Sequence, residues 1–224
     1  MTKSGYMSAF SKRYGEDLDL PEEVMIFDTT LRDGEQTPGV SFTPEQKLRI
    51  AGQLEELRVD VIEAGFPVVS EGEKKSAERI TEAGLEPEIC LLSRCSDEDI
   101  ESAIDCNPDS IHVFIATSNI HLNEKLDISK EEALKRAKKS VEKVKNRGIK
   151  TEFSAEDATR TNIDYLRKIY KAVEEAGADR TNIPDTVGVA IPAAMNNLTK
   201  EIKKEVDIPI SVHCHDDFGL ANSN

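Results

Sequence analysis

No apolar run in this chain approaches the roughly 20 residues that a helix needs to cross a bilayer; the longest, such as Ile111 to Thr117, are far shorter. The opening segment, MTKSGYMSAFSKRYGEDLDL, also lacks the apolar block of a secretory signal. The four cysteines, Cys90, Cys95, Cys106 and Cys214, show no C-x-x-C spacing and are too sparse for a disulfide framework. That excludes a zinc ribbon and fits a reducing, cytoplasmic setting. No Lys/Arg block with interleaved aromatics occurs, and the formal charge is -14. A nucleic-acid partner, which requires a basic surface, is therefore not expected. Neither a G-x-G-x-x-G turn nor a Walker A loop is present, which removes the common dinucleotide and nucleotide folds.

What is present is the balance of an ordinary globular protein, with 38% hydrophobic and 32% charged residues in 224. A polar lead over residues 1–24 precedes a region, 25–224, in which short β-rich runs alternate with amphipathic helical runs. The strand candidates are VMIFDTT, VDVIEAG, PEICLLS, SIHVFIAT, KTEFSAE, DRTNIPD and IPISVHCH. Thr43, Pro44 and Gln46 supply an N-cap, a proline at the first helical position and a capping-box partner. Ser129 and Glu132 repeat the device, and Gly84, Gly148 and Gly177 read as helix stops. Repeated βα units without a linker predict an α/β fold, a (β/α)8 TIM barrel. An eighth strand would have to follow HDDFGLANSN, so the expectation is a barrel truncated after strand seven.

In such a barrel, function is expected at the C-terminal ends of the strands. His213 and His215 in VHCHDDFG lie two apart, so on a strand they face the same side, and Cys214 faces the other. Two imidazoles make half of a metal site. The end of strand one, DTTLRDGEQ, offers Asp28, Asp33 and Glu35 as a third ligand. Two histidines and a carboxylate leave positions open on a divalent ion, the arrangement of catalytic sites. Taken singly, each residue has a plainer reading: a turn or cap carboxylate for Asp28 and Asp33, a surface ion pair for Arg32, a core histidine for His112, a solvated loop pair for Glu156 and Asp157, a helix cap for Thr186. No role is assigned to His121 or Cys95.

FDTTLRDGEQTPGV, DVIEAGFP, FSAEDATR, PDTVGV and SVHCHDDFG occur in the order and spacing of the family of 2-isopropylmalate, homocitrate and citramalate synthases, which this chain resembles from about Met25 to its end. The resemblance implies a metal-dependent barrel that condenses acetyl-CoA with a 2-oxo acid. It places a divalent ion (Mg, Mn, Zn or Co) on Asp33, His213 and His215. It places Arg32 beside the 2-oxo acid, as a fixed guanidinium that stabilises developing oxygen charge. Gln36, His112, Ser154, Pro184 and Thr186 fall on substrate-side positions, and Glu156 joins Arg32 as a catalytic candidate. The regulatory domain and the C-terminal subdomains of full-length relatives have no counterpart in this chain, nor does the glycine-rich segment after strand eight. The resemblance further implies a homodimer, or association with a complementary chain.

Phe66 and Pro67 after strand two, the LSR of Leu92 to Arg94, and His112 favour the 2-isopropylmalate branch, acting on 2-oxoisovalerate in leucine biosynthesis. The alternatives are citramalate or homocitrate synthesis from pyruvate or 2-oxoglutarate, and a catalytically incomplete barrel serving as a partner subunit. A lyase of the same superfamily is a nearer rival than an iron(II), 2-oxo acid oxygenase, whose β-sandwich does not match the βα alternation.

Overall fold

A computed structural model describes Arg13 and residues 21–224. Most of the polar lead expected over residues 1–24 thus lies outside the described residues. The rest forms one parallel sheet in strand order β1-β2-β3-β4-β5-β6-β7. Its strands are β1 (Phe27–Asp28), β2 (Val61–Gly65), β3 (Glu88–Arg94), β4 (Ser110–Ala116), β5 (Lys150–Glu156), β6 (Arg180–Asp185) and β7 (Ile210–Cys214). Connecting helices are α1 (Pro44–Leu57), α2 (Glu71–Thr81), α3 (Asp97–Asp105), α4 (Lys130–Lys145), α5 (Ile163–Glu175) and α6 (Pro192–Lys203). The architecture is a curled, seven-stranded parallel barrel, one strand short of a (β/α)8 TIM barrel, as the alternating pattern predicts.

The helix signals act as their chemistry requires. Thr43 and Gln46 form a reciprocal capping box around Pro44. Ser129 accepts from the Glu132 amide, but the Glu132 carboxylate turns to Arg136 instead of closing the box. Gly84, Gly148 and Gly177 all take positive φ after their helices. The first strand is much shorter than the run VMIFDTT suggests. Asp28 accepts from the backbone and hydroxyl of Thr30 at 2.9 and 3.2 Å, and the amides of Arg32, Asp33 and Gly34 all turn back to the Thr29 carbonyl. This local hydrogen bonding ends the strand and presents the next residues at the barrel mouth.

Strand alternation divides the side chains into two populations. Ile62, Leu91, Ile111, Val113, Phe153 and Ile183 point outward, into a fully buried shell under helix residues such as Ile80, Val141, Leu166 and Tyr170. Burying each such side chain contributes roughly 1.5–3 kcal/mol. The inward-facing population is strongly polar. Phe27 of β1 meets His112 of β4 edge-on at 6.1 Å and lies under Arg180 of β6 at 5.7 Å, so the sheet curls far enough for its two ends to share one interior. β1 and β7 remain its edges, where Val24, Met25, Ile26 and Val212 are exposed.

Candidate active site

The curl brings the two edges together at the mouth. Asp33 Oδ2 lies 3.8 Å from His213 Nε2 and 3.9 Å from His215 Nε2. One donor atom from each of the three falls within 4.8 Å of the others, a spacing that an ion held about 2.1–2.4 Å from each donor bridges. Burial, and after it the Arg32 charge, lowers the His213 pKa below the ordinary histidine value. The ring is therefore neutral and ready to act as a ligand. Of the three carboxylates that the sequence offers, only Asp33 faces the histidines. Asp28 is spent on Thr30, and Glu35 accepts from the Phe42 amide and pairs with Lys47.

Lys47, on α1, is fully buried and also binds Glu73 at 2.5 Å and the Leu31 carbonyl at 3.1 Å. It fastens the loop carrying Arg32 to Gln36 onto α1 and α2. Sequence reasoning passed over it, although a lysine at an inward position of an amphipathic helix is a signal in itself.

Arg32 sits between two carboxylates. Its Nε donates to Glu63 Oε2 at 2.5 Å and its Nη1 to Asp33 Oδ1 at 2.6 Å. Nη2 has no acceptor among the described residues, so the plane is fixed and one donor edge stays free for a ligand. Burial works against the charge, but Glu63 and Asp33 raise the Arg32 pKa further, which keeps it a cation. Glu63, in the quoted DVIEAGFP, is fully buried on β2 and was not singled out from the sequence. Burial pushes its carboxyl up, but Arg32 and His112 outweigh that and hold it down at about 2. A glutamate at an inward position of a barrel strand was the available clue.

His112 occupies a layer below the mouth. Its Nδ1 meets Glu63 Oε1 at 2.7 Å and its Nε2 meets Ser154 Oγ at 2.6 Å. Ser154 continues to Asn182 Oδ1 at 2.9 Å, Asn182 Nδ2 donates to Ser211, and Ser211 donates to Glu152. Arg180 joins Glu152 to Glu88 at 2.8 and 2.7 Å, completing a polar column along the barrel interior. His112 and Ser154 thus lie in one chain with the Arg32 pair, and both nitrogens of the imidazole are engaged within the wall.

The remaining candidates lie around the rim. Gln36 is exposed and lines, with Arg32, Phe42, Phe66 and Val69, a cavity of about 440 Å3 beside the mouth. Pro184 is buried on β6, paired in register with His213. The Thr186 hydroxyl accepts from the Asp157 amide at 2.9 Å and does not cap α6, whose N-cap is Ile191. Glu156 ends β5 with its side chain largely covered, bound by Lys125 at 2.7 Å. Gly188 adopts φ +61, and a Cβ there would fall 2.9 Å from the His215 carbonyl oxygen, so this glycine lets the β6–α6 loop pass against the histidine segment.

A parallel βα barrel with imidazole, carboxylate and guanidinium groups gathered at the C-terminal ends of its strands defines an enzyme-type scaffold with a candidate metal centre. A family profile described as HMGL-like matches residues 23–224, and the chain belongs to this HMGL-like family. It is 58% identical over 213 residues to 2-isopropylmalate synthase of Methanocaldococcus jannaschii, covering 95% of this chain and 41% of that protein. It is 54% identical over 217 residues to homocitrate synthase AksA of Methanopyrus kandleri, covering 97% of this chain and 55% of that protein. The chain therefore spans about half the length of these relatives or somewhat less. In structure it is similar to HMG-CoA lyase of Bacillus subtilis, with a TM-score of 0.80, 21% identity and coverage of 92% of this chain and 73% of that one. That likeness speaks to the fold alone.

Proposed function

We propose that residues 25–224 form the catalytic barrel of a 2-isopropylmalate synthase-like acyltransferase, which condenses acetyl-CoA with 2-oxoisovalerate and releases CoA. The observation that carries this reading is the convergence of Asp33, His213, His215 and Arg32 at the mouth of a chain so similar in sequence to a named 2-isopropylmalate synthase.

Asp33, His213 and His215 would hold the divalent ion, and their mixed oxygen and nitrogen donors suit Mg, Mn, Zn or Co. When bound, that ion supplies a Lewis acid that polarises the keto group. The chain's own residues do the rest. Glu63 and Asp33 orient Arg32, whose free Nη2 edge stabilises negative charge as it develops on the former keto oxygen. His112 and Ser154, locked in the interior column, fix the floor on which the 2-oxo acid rests, and Pro184 and Thr186 bound it on the β6 side. The cavity lined by Arg32, Gln36, Phe42 and Phe66 receives the thioester arm. Glu156 handles a proton at the rim as the acetyl methyl carbon is deprotonated and adds to the keto carbon. Hydrolysis of the thioester then makes the condensation irreversible.

The test is product identification. Incubation with 13C-methyl acetyl-CoA, Mn and 2-oxoisovalerate is expected to yield labelled 2-isopropylmalate by NMR. Label appearing only with pyruvate or 2-oxoglutarate would transfer the assignment to citramalate or homocitrate synthesis.

A further inference from the structure

His121 lies outside every role assigned so far, yet it adjoins Glu156. The segment between β4 and α4 runs through a short helical turn, Asn119–His121, and continues as a wider turn over Leu122–Leu126, in which the Asp127 amide reaches back five residues to the Leu122 carbonyl. Such wide turns recur where a helix must aim side chains at a site. Here His121 and Lys125, four apart, come to the same face and meet the same carboxylate oxygen. His121 Nδ1 is 3.1 Å, and Lys125 Nζ 2.7 Å, from Glu156 Oε1.

Three details go beyond a surface ion pair. First, His121 Nδ1 is buried and its angle to Oε1 misses that of a hydrogen bond, which leaves it an unpartnered polar atom. Leaving such an atom unpaired costs free energy that a small rotation of the carboxylate recovers. Second, no donor reaches Glu156 Oε2 among the described residues, so one oxygen is anchored and the other is free. Third, the strand end behind Glu156 is itself held fast: Thr117 donates to the Glu156 carbonyl at 3.1 Å, and Asp157 takes φ +66 under a bidentate grip from Arg160 at 2.7 and 2.8 Å. A non-glycine residue in that conformation is a strain that the surroundings must sustain.

We propose that His121 and Lys125 are positioning residues for Glu156: Lys125 holds its Oε1 by a hydrogen bond, His121 flanks the same oxygen, and together they fix the orientation in which Oε2 meets the substrate. The proposal rests on the proton-handling role given to Glu156 above, and its test separates the two. Hydrogen exchange of the backbone amides from residues 119 to 126 reads the anchor without any turnover. In Glu156→Gln, exchange there is expected to quicken about fivefold over the natural protein while α4 is unchanged; unchanged exchange overturns the proposal. Steady-state kinetics then read the positioning. His121→Ala is expected to lower kcat about tenfold with KM for the 2-oxo acid within about twofold, and His121→Asn, whose amide nitrogen stands near the place of Nδ1, to restore most of it. Equal losses in the two variants, or a change in KM alone, contradict the proposal. Should the natural protein show no condensation, the functional reading fails and the exchange experiment alone decides the anchor.

Discussion

Arg32 and Glu63, separated by 31 positions in the chain, meet at 2.5 Å inside the barrel, with Glu63 wholly removed from solvent. The pair fixes the guanidinium plane at the mouth and connects it to His112 below, so a single buried carboxylate supports both layers of the candidate site.

Replacing that carboxylate separates its contributions. Glu63→Gln leaves the Arg32 charge short of a buried partner and is expected to cost about 3 kcal/mol at neutral pH, measured by urea unfolding. The sign of the pH dependence follows from the folded-state pKa of about 2, below the ordinary glutamate value of 4.5. A depressed carboxyl stabilises the fold above about pH 4.5, and that stabilisation is lost as pH falls towards 2. Glu88, held at about 2 by Arg180 and Lys150 against the upward push of burial, adds to the same window. The variant is therefore expected to lose less stability between pH 4.5 and 2 than the natural protein; an equal loss would show that Glu63 is not the acid-sensitive group.

At the other end of the column, Arg180 bridges Glu152 and Glu88. Arg180→Met keeps the bulk but takes the cation from Glu152, which is almost fully buried, and leaves Glu88 with Lys150 alone. A loss of about 3–5 kcal/mol is expected, and a midpoint unchanged in urea would mean that water already supports these groups.

Gly188→Ala tests the packing of the loop against the histidine segment. The added methyl would enter positive-φ backbone and press on the His215 carbonyl at 2.9 Å. Its left-handed backbone alone costs about 1 kcal/mol, and the displacement of His215 is expected to weaken Mn binding severalfold in titration calorimetry. Unaltered affinity would show that the two segments part freely.

Much of this was legible in the sequence because the signals were local. The capping box at Thr43 and the helix-stopping glycines each depend on neighbours within a few residues and take the expected conformations, as does His213 on β7, whereas His215 lies one residue past the strand's end at Cys214. Limits of the strands from β2 to β7 also follow hydrophobic runs closely. The short β1 was missed because Asp28 and Thr29 compete for its backbone through turn hydrogen bonds that a β-rich run does not reveal. Glu63 and Lys47 were missed for a different reason. Each polar side chain is buried only because distant segments supply its partners, and sequence spacing carries no record of those contacts.

Metal binding gives a sharper test of the mouth. The natural protein is expected to bind one Mn or Zn ion per chain, and His213→Ala and His215→Ala each to weaken binding at least about a hundredfold, since two protein donors then remain. Undiminished affinity in either variant would move the centre away from these residues.

The most direct measurement of the whole account is release of CoA thiol from acetyl-CoA with Mg or Mn, offering 2-oxoisovalerate, pyruvate and 2-oxoglutarate in parallel, with EDTA and His213→Ala as controls. The account predicts release with 2-oxoisovalerate that EDTA and the substitution both abolish. No release with any of the three acids, from folded protein that binds the metal, would contradict it.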